Sequence, residues 1–379
     1  MKPLEHYLDV GPRRLRCGYT TGTCAAAASR AAAQLLLTGK APASVLVETP
    51  SGLTVEVEVE EQQLTLREAC CTVVKDAGDD PDVTNGVHVA AAVRRCPEGV
   101  AICGGKGVGR VTRPGLDQPP GEAAINSVPR RMIAEQLRLA AESAGYSGGL
   151  SVTISIPEGE ELAEKTFNPR LGIVGGVSVL GTTGIVRPMS EEALLDTIRT
   201  ELNLHKSEGD KDLLVTPGAY GAAFCRRELG LELEGAVQCS NYIGATLDHA
   251  ALLGFETLLL VGHVGKLVKC AAGVMNTHSR VADARRETLA AHAALCGADR
   301  TTLETILNSA TTDAALAALS GVGVLEPTME RITAAVGQQL QHRAGEKLRV
   351  EAVVFSNTFG LLGKTAGADS LLRRHRKET

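Results

Sequence analysis

From Thr54 onward the chain reads TVEVEV, valines alternating with polar residues as a strand with one buried and one wet face requires. Residues 44–48 form the natural partner of this 54–59 strand, and Pro50-Ser51-Gly52 supplies the turn between them. Upstream, residues 24–37 are an almost unbroken alanine and leucine stretch closing on Thr38-Gly39, which is how a helix ends. Further strands are expected over residues 71–75, 87–93, 100–103 and 150–156, with a helix from about 129 to 144. This order predicts an α+β domain with a mostly antiparallel sheet over residues 1–189.

The texture changes after Arg187-Pro188. SEEALLDTIRTEL opens with a serine cap and an acidic first turn, so it reads as a bridging helix. Residues 212–216, 236–240 and 257–261 are short apolar runs, each followed by a glycine-bearing turn and a helix-like stretch. Buried parallel strands have this form, and their repetition predicts a Rossmann-like, doubly wound α/β domain over residues 190–379. Residues 349–355 add a strand, and the basic residues 373–377 are expected as a solvated end.

Composition narrows the function. A net charge of −5 and 3% aromatics, with no Trp, give neither the electrostatic footprint nor the stacking rings of a nucleic-acid binder. The opening MKPLEHYLDVGPRR has no signal-type apolar run and no later stretch is long enough to span a bilayer, so a cytoplasmic protein is expected. The 10 cysteines form no C-x-x-C pair and are expected as reduced thiols, with no zinc site.

Several loops can carry chemistry. Thr20, Thr21 and Thr23 surround a helix start whose N–H groups can meet an anion, or Thr21 or Thr23 simply caps the helix. KDAGDDPDVTNG gathers four aspartates, including Asp76 next to Lys75, without EF-hand spacing; it is a base or cation candidate, or an exposed turn. CGGKGVGR lacks the phosphate-loop register and reads as a mobile hairpin. Residues 167–190, with Thr182, Thr183 and Arg187, line a cleft or serve as a glycine-rich linker. TPGAYG brings Gly218, Tyr220 and Gly221 to the first strand-to-helix turn of the second half. Asn241, Tyr242, Gly244, Asp248, His249, Gly262, His263 and Lys266 lie at or just past the next two strand ends, where ligands of open α/β sheets bind. His263 is placed in a turn between glycines.

Taken in order, CGYTTGTCAAAA, VVKDAGDDPDVTNG, GEAAINSVPRRMI, FNPRLGIVGGVSVLGTTGIVRPMS, SNYIGATLDHA and LLLVGHVGKLVKCAAGVMNTHS resemble the cobalt-precorrin-5B (C1)-methyltransferase family of the CbiD type. The likeness runs from about residue 16 to 298, with Ser127 a small departure where a more proline-rich neighbourhood is expected. It implies S-adenosylmethionine as methyl donor and cobalt-precorrin-5B as acceptor, methylated at C1 to cobalt-precorrin-6A in anaerobic cobalamin synthesis. Cobalt then arrives inside the substrate, and no separate protein metal site is implied. On this reading the second domain holds the donor through Gly218, Tyr220, Gly221, Asn241, Tyr242, Gly244 and Gly262. The first domain faces the corrinoid through Thr20, Thr21, Thr23, Thr182, Thr183, Arg130, Arg131 and Arg187, and Lys266 joins the arginines as a partner of substrate carboxylates. His263 is the expected base, with Asp76 as the alternative. Hand-over from other pathway enzymes and a homo-oligomer are further expectations. Two other readings are an ATP-dependent phosphotransferase and a noncatalytic corrinoid carrier.

Overall fold

The alternating valines form a hairpin: Ser44–Glu48 pairs antiparallel with Thr54–Glu58, and Val45, Val47, Val55 and Val57 all turn inward. In this computed structural model, residues 3–218, 222–233 and 235–376 are described, and the chain divides into two compact units, Met1–Glu191 and Glu192–Thr379.

The first unit is built on a five-stranded sheet in the order Glu61–Leu64, Glu68–Val74, His88–Cys96, Gly149–Ser155, Val100–Gly104. Three of its junctions are antiparallel, and Gly149–Ser155 lies parallel to Val100–Gly104. The helix Thr21–Thr38 packs on this sheet and against the helix Ser127–Ser143. Its seven alanines at 25–28 and 31–33 are fully buried, because small side chains allow the close approach that larger ones would prevent. The helix starts three residues earlier than the sequence pattern suggests, since Thr20, and neither Thr21 nor Thr23, is the cap.

CGGKGVGR does not form a hairpin, because Val100–Gly104 pairs with Gly149–Ser155, Gly107–Val108 with Gly176–Val177 and Arg110–Val111 with Ile173–Val174. A Cβ at Gly107 would lie 1.8 Å from the Ile156 carbonyl oxygen, and one at Gly109 would lie 2.8 Å from that of Gly176. These glycines are present because other backbone passes where a side chain would stand.

In the second unit the sheet order is Val237–Gln238, Asp212–Thr216, Thr257–His263, Arg349–Ser356, Gly360–Lys364. The first four strands are parallel and the last is antiparallel. Alternate residues feed opposite faces. Leu213, Val215, Leu258, Leu260, Val350 and Val354 share one apolar cluster with residues of Ile243–Leu253, Val264–Ala271 and Leu325–Ala344. Leu214, Leu259, Val261, Val353 and Phe355 share another with Phe224, Leu229, Leu371 and Leu372.

Two details depart from the sequence expectation. The expected solvated end is the helix Ala368–His375, where Arg374 pairs with Asp212 at 2.7 Å and Arg376 donates to the Leu229 carbonyl; Lys377 lies outside the described residues. The central strand runs two residues further than its apolar run, so His263 ends it and is in register with Phe355. All ten cysteines are free thiols, and among the described residues no helix is long and apolar enough to cross a membrane.

Candidate functional site

The threonine loop is closed by its own chain. The Gly22 N–H donates to the Leu180 carbonyl at 3.1 Å, the Thr23 hydroxyl to the Gly184 carbonyl at 2.7 Å, and the Thr20 N–H to the same carbonyl at 3.1 Å. Thr21 Oγ1 accepts from the Leu180 N–H, and Thr20 Oγ1 accepts from the Thr23 N–H. All three threonines are buried. Thr20, Thr21 and Thr23 therefore hold the segment 178–184, and the Thr20, Gly22 and Thr23 N–H groups expected for a substrate anion already have partners.

The aspartate loop is tied down in the same way. Asp76 takes a two-point bond from Arg16, at 2.5 and 2.8 Å, and another from the Gly78 N–H. Asp79 accepts from the Arg16 N–H and Asp80 from the Met189 N–H; Asp82 binds Lys75 and Thr84. Burial raises the Asp76 pKa, but Arg16 and Gly78 outweigh it and the net shift is downward. A carboxylate held as an ion pair is a poor proton acceptor, which removes the reason for choosing Asp76 as base.

Arg130 is also engaged, donating to the carbonyls of Ile125, Ala123 and Ile102. Thr183 donates to the Ile185 carbonyl. By contrast Arg131, Thr182 and Arg187 are exposed.

In the second unit, a cleft of about 400 Å³ opens at the carboxyl ends of Asp212–Thr216 and Thr257–His263. These are the neighbouring strands from which the sheet continues in opposite directions. Ligands of open α/β sheets bind at such a switch point. Pro217, Gly218, Gly262, His263, Gly265 and Lys266 line it from this side. Gly218 has φ +156° and open space where a Cβ would stand, whereas a Cβ at Gly262 would press on Leu267 at 2.9 Å.

His263 is the last residue of its strand and the cap of the helix Val264–Ala271, its Nδ1 accepting from the Gly265 N–H at 3.1 Å. It does not sit in a turn, because strand and helix join without a connecting loop. Burial pushes its pKa down, partly offset by Asp313. Lys266 is half-buried and donates to the carbonyls of Pro217 and Ser240, at 3.3 and 3.2 Å; burial lowers its pKa too.

The opposite wall was not foreseen: Arg285, Ala310, Thr311, Thr312 and Asp313. Thr311 caps the helix Thr312–Gly321 through the Ala314 N–H. The Asp313 carboxylate accepts from Ser356 at 3.1 Å and Thr358 at 3.2 Å, while Arg285 forms a two-point ion pair with Asp283. Threonine followed by aspartate before AALAAL is a readable helix start, and that was the available signal.

The remaining residues chosen for the donor are placed elsewhere or lie outside the description. Asn241 and Gly244 hold residues 275–277: the Asn241 carbonyl accepts from the Thr277 N–H, and the Gly244 N–H donates to the Met275 carbonyl. A Cβ on Gly244 would meet Met275 at 2.8 Å, and Tyr242 is buried in the core. None of these three lines the cleft. Tyr220 and Gly221 lie outside the described residues. Asp248 is paired with Arg343, and His249 Nε2 is buried without a hydrogen-bond partner among the described residues.

Residues 9–188 match the CbiD family, and residues 276–366 match the CbiD C-terminal domain. A Ruminiclostridium cellulolyticum protein named cobalt-precorrin-5B C(1)-methyltransferase is 47% identical, covering 93% of this chain and 92% of its own length. One of the same name from Alkaliphilus metalliredigens is 40% identical, covering 97% of each chain. The crystal structure of an Archaeoglobus fulgidus cobalamin biosynthesis protein (cbiD) is 32% identical over 74% of this chain and 87% of that one, with a TM-score of 0.40.

Proposed function

The chain belongs to the CbiD family, and on that premise we propose that it methylates C1 of cobalt-precorrin-5B with S-adenosylmethionine bound in the His263 cleft. The single observation that supports this placement is the cleft of about 400 Å³ at the strand ends where the parallel sheet changes direction. Its walls suit an adenosyl amino acid. Gly218 leaves room for a ring or ribose, Lys266 and Arg285 offer cationic donors for a carboxylate, and Asp313 supplies an acceptor for an ammonium or hydroxyl. The Rossmann-like reading of this domain is supported by its parallel strands and switch point, although its strand order, 2-1-3-4-5 along the chain, is the other common doubly wound one.

Methyl transfer breaks the bond from the methyl carbon to the sulfonium sulfur as the bond to C1 forms, and sulfur leaves with the electron pair as a neutral thioether. The ring's conjugated system supplies the attacking pair, so the protein chiefly aligns the two reactants. Cobalt enters as part of the substrate. On the first unit, exposed Arg131, Thr182 and Arg187 are the candidates that remain for corrinoid carboxylates. The free thiols fit a reducing, cytoplasmic setting.

Titration with S-adenosylhomocysteine and with ATP tests the donor site. The homocysteine derivative should raise the melting temperature and ATP should not, and Gly218→Val should weaken the former about tenfold. Stabilisation by ATP alone would overturn the assignment. Single-turnover incubation with methyl-labelled donor should place label on the macrocycle; an unlabelled ring would mean a carrier.

A further inference from the structure

His263 has one ring nitrogen committed. The Gly265 N–H points at Nδ1, so the imidazole lone pair is there, and a neutral ring with its lone pair on Nδ1 carries its proton on Nε2. The ring cannot easily exchange these roles. Its strand is held in register with Arg349–Ser356, and the ring stands T-shaped to that of Phe355, centroids 5.7 Å apart at 89°. Moving the proton to Nδ1 would set two N–H groups against each other, and turning the ring would put the Cδ2–H where the acceptor stood; either uncaps the helix. Nε2 has no partner among the described residues, while His263 lines the cleft with Lys266 and Asp313.

We propose that His263 presents a neutral Nε2–H to the bound methyl donor as a hydrogen-bond donor, and is a positioning residue rather than the base. This rests on the cleft being the S-adenosylmethionine site, and it changes what the histidine does there. The nitrogen available to a ligand already bears a proton, and the nitrogen able to accept one is occupied by the backbone. Burial disfavours the imidazolium in addition. Every acceptor of an adenosyl amino acid, carboxylate, ribose oxygen or purine nitrogen, can use such an N–H.

Three substitutions separate donor, cap and base. Asparagine can keep an acceptor near the Nδ1 position but has nothing at Nε2; glutamine can put an N–H near Nε2 but gives up the cap; alanine has neither. With S-adenosylhomocysteine as probe, His263→Asn and His263→Ala should each bind about tenfold more weakly, the size of one lost hydrogen bond, and His263→Gln should return to within about threefold. Retention by asparagine with loss in glutamine and alanine would reduce His263 to a helix cap. Unchanged binding in all three, with turnover abolished, would restore the base. Nitrogen-15 NMR of the full-length free protein should show His263 protonated at Nε2 and unprotonated at Nδ1. The opposite tautomer would overturn the inference even if the wild type binds the probe. Failure of the wild type to bind, with the expected tautomer present, would instead count against the donor site.

Discussion

The helix start at Thr20 and those at His263 and Thr311 are built alike, each with a side chain in the cap position accepting from an N–H of the first turn. Their surroundings differ completely. Around Thr20 the neighbouring donors meet carbonyls from Leu180 and Gly184, some 160 residues along the chain, and the threonines are buried. Around His263 and Thr311 the chain leaves a cleft of about 400 Å³. A helix N-terminus is thus a binding site only where the fold withholds its own acceptors. The hydroxyls of the threonine loop are spent on the chain itself, whereas the helix starts at His263 and Thr311 face a ligand-sized space.

The largest effect that would break this contrast is expected from Gly184→Ala. Gly184 has φ +77° and a Cβ there would lie 2.7 Å from Thr49 Cβ, so the variant should lose about 3 kcal/mol in urea unfolding. Affinity for S-adenosylhomocysteine in the folded fraction should stay as it was; a selective loss of affinity would return the threonine loop to the binding site.

Next is Asp76→Asn, which leaves Arg16 without its counter-charge and should cost on the order of 2 kcal/mol at pH 7. Because the Asp76 pKa is lowered from its ordinary 3.8, the stabilisation is fully present above that value and is lost as pH falls through the lower folded value. The difference between variant and wild type should therefore shrink below about pH 4. A constant difference from pH 7 to 3 would mean that the ion pair is not its source.

On the other side of the contrast, Lys266→Met should weaken S-adenosylhomocysteine about tenfold through loss of a charged donor. Equal affinity would remove Lys266 from the ligand's carboxylate. The smallest effect is expected from Thr311→Ala, about 1 kcal/mol of helix-cap stability, read as a small fall in melting temperature. If that fall disappears when the probe saturates the cleft, the cap is re-formed by the ligand.

How much of this was legible in the sequence follows from the distance over which each feature is decided. The Val45 to Val57 hairpin and the parallel strands at Asp212 and Thr257 are visible because burial writes a local pattern of period two or a short apolar block. His263, Lys266, Gly218 and Gly262 were found because strand ends can be located to within a residue or two. The helices Arg285–Ala294, Arg300–Asn308 and Thr312–Gly321 went unread, being short and rich in residues that suit several structures, and the far wall of the cleft went with them. The partners of Thr20, Thr21 and Thr23 could not be read at all. A hydroxyl capable of meeting an anion and one bonded to Gly184 look the same in one dimension.

The direct passage from the Thr257–His263 strand into its helix gives the two walls of the cleft unequal tolerance to insertion. Side chains along a strand alternate between faces, so one residue added between Thr257 and His263 would turn the imidazole to the other side of the sheet. One residue added in the connection 295–299, between two helices, asks only for a slightly longer loop. The His263 wall is therefore a fixed datum for variation, while the Thr311 wall can move toward or away from it without dismantling the sheet.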